Sequence, residues 1–259
     1  MSDNANSLDT SQRFGFQWDR RRELYPHYRD QFLQWIQPLD PEAFRDKDVL
    51  DAGCGMGRNT WWAAQLGARS ITAIDQSELA VASAREVVGS LPGVAVRRES
   101  IYDIEEREAF DLCFCLGVIH HLEHPRRALE RLVASLRPGG QLVVWLYGYE
   151  GNALFVRIFQ LLHPLLRRMP PRLLHVLAHL LALPLFLLLR LPLPRSEYLE
   201  SLARFPYGHV QLIVHDQLVP EVAHYYKRAE VAALFEGLPV SACEIHHNRG
   251  YSWTVLCRK

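Results

Sequence analysis

Val49-Leu50-Asp51-Ala52-Gly53-Cys54-Gly55-Met56-Gly57-Arg58-Asn59-Thr60 runs from an apolar, strand-like start through glycines at alternate positions into a helical pattern. A strand that turns this abruptly into a helix needs residues without a Cβ, which also lets backbone approach a ligand closely. The spacing departs from the dinucleotide fingerprint, because one residue rather than two separates the second glycine from the third. That crowding suits a ligand whose amino-acid part lies along the turn rather than a pyrophosphate on a helix end. About twenty residues on, in keeping with the spacing of such units, Ile71-Thr72-Ala73-Ile74-Asp75 closes a second strand on an acid. A carboxylate there can accept from both hydroxyls of an unphosphorylated ribose. It can also cap the helix that opens at Ser77.

Outward from this pair, short runs rich in Val, Ile, Leu and Cys alternate with longer amphipathic stretches, the pattern of βαβ units around a parallel sheet. The fold class is therefore α/β, Rossmann-like and doubly wound, with a seven-stranded, mostly parallel sheet. Strands are expected at 48–52, 70–75, 95–98, 110–115, 140–146, 240–246 and 252–257, and helices at 59–66, 77–88, 125–136 and 227–236. The segment Phe14 to Phe44, with Trp18, Tyr25, Tyr28 and Trp35, is expected to cover the sheet's carboxyl edge as helices. The chain divides into an N-terminal helical cover (1–44), a ligand-binding core (45–150), a leucine-rich helical insert (151–220) and a C-terminal helix with the last two strands (221–259).

The insert has an unusual composition: Gly151 to Arg195 holds 17 Leu, six Arg, three His and no acidic residue. Leu173 to Leu189 is 17 residues without Lys, Arg, Asp or Glu, at the lower limit for a membrane span. A crossing there would put parts of one sheet on opposite sides of a bilayer. Two short helices meeting at Pro184 are expected instead, either packed as a lid or lying in a membrane interface.

Over the whole chain, 29 Lys and Arg balance 29 Asp and Glu, and 49% of residues are hydrophobic, as in ordinary globular proteins. A formal charge of zero removes the chain-wide attraction on which general nucleic-acid binders rely. The five cysteines, Cys54, Cys113, Cys115, Cys243 and Cys257, are odd in number and lack the spacing of zinc or redox pairs. Cys113 and Cys115 alternate in an apolar run and read as small hydrophobes on one sheet face. Met1 to Thr10 is polar, with no secretory signal, which points to a reducing, cytoplasmic setting. His246 and His247 are neighbours in a strand, point to opposite faces and cannot chelate together, so no metal is assigned.

With these motifs in place, the chain resembles the class I S-adenosylmethionine-dependent methyltransferases over Arg45 to Leu146. Phe110-Asp111-Leu112, Leu116-Gly117-Val118-Ile119-His120-His121-Leu122 and Leu136-Arg137-Pro138-Gly139-Gly140 carry the likeness beside the glycine turn and Asp75. The flanks Phe14 to Trp18, Asp216 to Pro220 with His224-Tyr225-Tyr226, and Gly250 to Trp253 resemble a bacterial subgroup of these enzymes. The resemblance implies S-adenosylmethionine as cofactor. It places Asp51, Gly53, Cys54, Gly55 and Gly57 around the methionine moiety, Asp75 at the ribose and Gln76 beside the adenine. Ser100 and Ile101 stand where many relatives have an acid and a small residue contacting adenine, with Asp103 a substitute. Leu116 and Gly117 would lie beneath the cofactor.

The sulfonium already activates the methyl group, so the protein has to align an acceptor rather than supply a nucleophile. His121 or His120, in the loop leaving the fourth strand, could serve as base for an oxygen or carbon acceptor. Trp18, His224, Tyr225 and Tyr226 could face substrate, though rings at such positions also simply pack. The insert's apolar wall leads to the expectation of a small-molecule, apolar or lipid-like acceptor, with peripheral membrane contact as an alternative role. Nucleic acid is not expected as a partner. Cys115-Leu116-Gly117-Val118 replaces the Asn-Pro-Pro-aromatic or Asp-Pro-Pro-aromatic motif of base-modifying relatives, and Glu123 lacks the second glutamate of protein-arginine enzymes. A non-catalytic scaffold that holds the cofactor is the other reading.

Overall fold

The computed structural model describes residues 24, 26–153, 156–157, 166, 169–193, 197–218 and 224–259. One seven-stranded sheet comprises β1 (Asp48–Ala52), β2 (Ser70–Asp75), β3 (Val94–Arg98), β4 (Phe110–Leu116), β5 (Leu136–Tyr147), β6 (Ala242–Asn248) and β7 (Ser252–Arg258). The order is β3-β2-β1-β4-β5-β7-β6, with β1 to β5 parallel and β7 antiparallel to both neighbours. Strand order reverses between β1 and β4, and ligands of open α/β sheets bind in the crevice at the carboxyl ends there.

Alternation along each strand sorts side chains onto two layers. Leu112, Phe114 and Leu116 of β4 join Val49, Ile71 and Val143 under Phe32 and Ile36 of α1 (Pro26–Ile36) and Ala63 of α2 (Arg58–Gln65). Cys113 and Cys115 point the other way, into Leu129, Leu132 and Val133 of α4 (Pro125–Ser135) and Val231 and Phe235 of α8 (Arg228–Phe235). The three α4 residues follow helical i, i+3, i+4 spacing and are fully buried, each such side chain stabilising by about 1.5–3 kcal/mol. Between these helices, α3 (Glu78–Val88) starts on Ser77, whose hydroxyl accepts from the Ala80 amide.

Two sequence expectations change here, and one pairing is added. The described part of the N-terminal cover, α1, packs on a sheet face because Phe32 and Ile36 find the β4 and β5 aromatics there; Trp18 lies outside the described residues. Cys243 and Cys257, whose spacing carries no zinc or redox signal, form a disulfide, since the antiparallel register of β6 and β7 sets them directly opposite each other. In the insert a single helix, α5 (Pro171–Leu188), runs through Pro184 instead of two meeting there. Pro184 and Leu180, whose carbonyl loses its helical donor, both lie on the exposed side of α5, away from the side that packs on the rest of the insert. The insert continues as α6 (Glu197–Ala203) and α7 (Tyr207–Leu218), α5 packing along α7. Tyr28 of α1 joins Leu189, Leu202, Phe205 and Val210, which fastens the insert to the cover. Among the described residues, no helix is long and apolar enough to cross a membrane.

Candidate active site

The carboxyl ends of β1 and β2 bring two buried acids together. Asp51, 2% exposed, accepts a 2.6 Å hydrogen bond from the Thr60 hydroxyl in the first turn of α2. Burial pushes its carboxyl up to about 7, against the Thr60 bond and with help from the Asp75 charge. Asp75 accepts from the Gly55 amide at 3.0 Å on one oxygen and from the Ser77 amide at 2.9 Å on the other. Burial also raises its carboxyl above the ordinary aspartate range, against those two amides. The turn between them is held by the Gly53 and Cys54 amides on the Ile74 carbonyl at 2.8 and 2.9 Å. Gly53 sits at φ +86°, where a Cβ would stand 2.4 Å from Val118 Cγ2, so only glycine fits.

Two buried carboxylates with no basic side chain pairing them among the described residues make an electronegative floor. Such a floor calls for a cationic ligand that also brings hydrogen-bond donors. A sulfonium and an ammonium group with ribose hydroxyls meet that demand.

Past β4, Gly117 turns at φ +81° into a short 3₁₀ segment, Ile119–His121. His120 is fully buried, and neither ring nitrogen has a hydrogen-bond partner among the described residues. Burial holds its imidazole well below the usual value, with His121 and His224 adding to the effect, so it is neutral at pH 7. Its ring stacks on Tyr147 at the end of β5 at 3.8 Å, and Tyr147 stacks on Tyr225 at 5.2 Å, both pairs inclined by 26°. Backbone pairing builds this ladder: the His224 amide donates to the His120 carbonyl and the Tyr226 amide to Tyr147, each at 2.9 Å. Beside it opens a groove of about 610 Å³ lined by Tyr149, His224, Tyr225, Tyr226, Glu230 and Arg126, among others.

The expected residues thus fall into two groups. Asp51, Gly53, Cys54, Gly55, Gly57, Asp75 and Gln76 meet at the β1 and β2 ends, and His120, His121, His224, Tyr225 and Tyr226 gather by the groove. Leu116 is buried at the last position of β4, with Gly117 next in the chain. The Cys54 thiol is buried and pushed well up by burial, which makes it a packing residue rather than a nucleophile. The Ser100 hydroxyl accepts from the Tyr102 amide and caps a short turn that buries Ile101. Thr60 and Tyr147 were not foreseen. Thr60 lies in the quoted motif itself, one turn into the helix, and Tyr147 is the aromatic that ends β5.

Residues 50–144 match the family described as the methyltransferase domain. The core is that of a class I S-adenosylmethionine-dependent methyltransferase. The chain is 33% identical over 147 residues to a tRNA U34 carboxymethyltransferase of Pseudoalteromonas translucida, covering 56% of this chain and 41% of that protein. A protein of the same name from Actinobacillus pleuropneumoniae is 36% identical over 149 residues, covering 56% and 41%. The chain therefore spans less than half the length of these curated relatives. In fold, the methyltransferase resembles magnesium protoporphyrin IX methyltransferase of Synechocystis with bound S-adenosylhomocysteine, at TM-score 0.54 and 16% identity over 90% of this chain and 84% of that one. S-adenosylmethionine is the cofactor of the family, as expected.

One expectation falls with these relatives. A small-molecule acceptor and the exclusion of nucleic acid do not stand, because the curated proteins matching this core are named for a tRNA. A net charge of zero describes the whole chain and not its local surfaces, so it could not exclude an RNA.

Proposed function

We propose that this methyltransferase moves the methyl group of S-adenosylmethionine to a base of an RNA. The observation that carries the reading is the stacked ladder His120–Tyr147–Tyr225, which runs from the loop after β4 to the groove. An aromatic platform at a groove mouth suits an unstacked nucleobase, each such stack contributing about 1–3 kcal/mol. The tRNA-named relatives support RNA as the acceptor class.

In this reading Asp51, Gly53, Cys54, Gly55 and Gly57 hold the methionine part and Asp75 accepts from the ribose hydroxyls. Gln76, Ser100 and Ile101 border the adenine, and Leu116 and Gly117 lie beneath the cofactor. The cofactor supplies a methyl group that its sulfonium has already activated. The chain's own residues then have three tasks: to orient the acceptor, exclude water and take up a proton where the acceptor loses one. Neutral His120, fully buried against Tyr147, backs the ring ladder from below and does not itself touch the acceptor. His121, half-buried beside it with ring centroids 4.2 Å apart, is the base. His224, Tyr225 and Tyr226 receive the base in the groove.

The test is incubation of the full chain with methyl-tritiated S-adenosylmethionine and total bacterial RNA. Acid-precipitable label that ribonuclease releases, and that falls at least about tenfold in Tyr225→Leu, is expected. Label that stays out of RNA, while calorimetry shows S-adenosylhomocysteine bound, would overturn the RNA acceptor and leave the cofactor site intact.

A further inference from the structure

Nine of the ten exposed large hydrophobics among the described residues lie between Leu173 and Leu193, so they form a patch rather than a scatter. Leu174, Ala178, Ala182 and Leu189 are buried, and α5 packs along α7 through that side. The opposite side carries Leu173, Val176, Leu180, Leu183, Leu187 and Leu188, half or more exposed, with Leu180 at 67%. At 3.6 residues per turn these positions sweep roughly 140° of the circumference. A helix-pairing seam would occupy a narrower stripe, flanked by charges that set the register. Here the arc is wide and uncharged, and α5 has no Lys, Arg, Asp or Glu from Leu173 onward.

Charge supplies the second observation. The segment from Gly151 to Arg195 contains six arginines and no acid, within a chain whose total formal charge is zero and whose remainder is therefore acidic. Arg190, just past α5, is exposed while its guanidinium also donates to the Ala203 and Phe205 carbonyls. A basic, acid-free segment around a broad apolar arc matches anionic lipid headgroups above acyl chains. A second copy of this chain would set arginines against arginines. Because one side of α5 is committed to α7, the helix has to lie in the membrane plane, along roughly 27 Å of surface at 1.5 Å per residue.

We propose that α5 seats this protein on the surface of an anionic bilayer, with its leucine arc among the acyl chains and the exposed Arg190 beside it toward the phosphates. The test is co-sedimentation of the full chain with vesicles of phosphatidylcholine alone and of phosphatidylcholine mixed with phosphatidylglycerol. Binding is expected on the mixed vesicles, weakening with added salt. Leu180→Glu with Leu187→Glu should lower partitioning at least about tenfold while calorimetric affinity for S-adenosylhomocysteine is unchanged. If that pair loses cofactor affinity, the milder Leu180→Ser with Leu187→Ser repeats the comparison. A wild-type chain that stays in the supernatant, equal binding to both vesicle types, or full binding by the variant would overturn the proposal. So would a wild-type dimer that the variant splits in the absence of lipid, which would assign the arc to a second copy.

Discussion

Replacing Asp51 by Asn tests whether the acid at the end of β1 is held there against its own preference. Burial lifts the Asp51 carboxyl from 3.8 to about 7. From about pH 4 to about pH 7, the unfolded chain has released this proton while the folded chain keeps it. Stability therefore falls as pH rises through that window and levels off above about pH 7, the loss reaching roughly 4 kcal/mol at about 1.4 kcal/mol per pH unit. Asparagine keeps an acceptor for the Thr60 hydroxyl but brings an amide that needs acceptors of its own, which offsets roughly 1–2 kcal/mol. The cofactor-free Asn variant should thus be about 2 kcal/mol more stable than wild type at pH 8, a gain that vanishes or reverses by about pH 4. Urea unfolding of both chains at several pH values, without cofactor, measures this difference. The same substitution should weaken S-adenosylmethionine at least about tenfold, since the cationic ligand loses a buried anion. Parallel stability profiles for the two chains, or a variant less stable at pH 8, would refute the reasoning.

Asp75→Ala should cost roughly 1.5–3 kcal/mol of cofactor affinity without unfolding the chain; unchanged calorimetric affinity would reject its place at the ribose. Gly53→Ala should destabilise by about 2 kcal/mol or more, because its Cβ would collide with Val118 at a left-handed φ, and an unmoved urea midpoint would count against that contact. His121→Ala should lower methyl transfer roughly a hundredfold with cofactor affinity intact, so near-normal turnover would return His121 to a packing role.

The residues that gather at the β1 and β2 ends were legible because they are close in sequence. The β1 and β2 boundaries match expectation to the residue, since each apolar run ends on a residue with a distinct task, Ala52 before Gly53 and Asp75 before the Ser77 cap. The ring cluster beside the groove was only partly legible. Tyr225 came forward as a candidate, but the stack that gives it a role depends on Tyr147, brought opposite by the Gly148–Tyr226 bridge between distant segments. The Cys243–Cys257 pair was hidden for the same reason: it follows from the β6–β7 register and not from cysteine spacing. Pro184 misled because a proline on an exposed helix side removes one hydrogen bond without ending a helix that packs through its other side. The acceptor class was lost by reasoning from net charge and from one missing motif, neither of which reports on the ring platform.

The central claim is transfer to an RNA base, and nucleoside mass spectrometry tests it most directly. RNA treated with the chain and S-adenosylmethionine is digested and compared with RNA treated with Asp75→Ala. The account predicts one nucleoside whose mass rises by a methyl group in the first sample and stays unchanged in the second. Identical nucleoside profiles in the two, with cofactor binding to the wild-type chain verified in the same buffer, would contradict it.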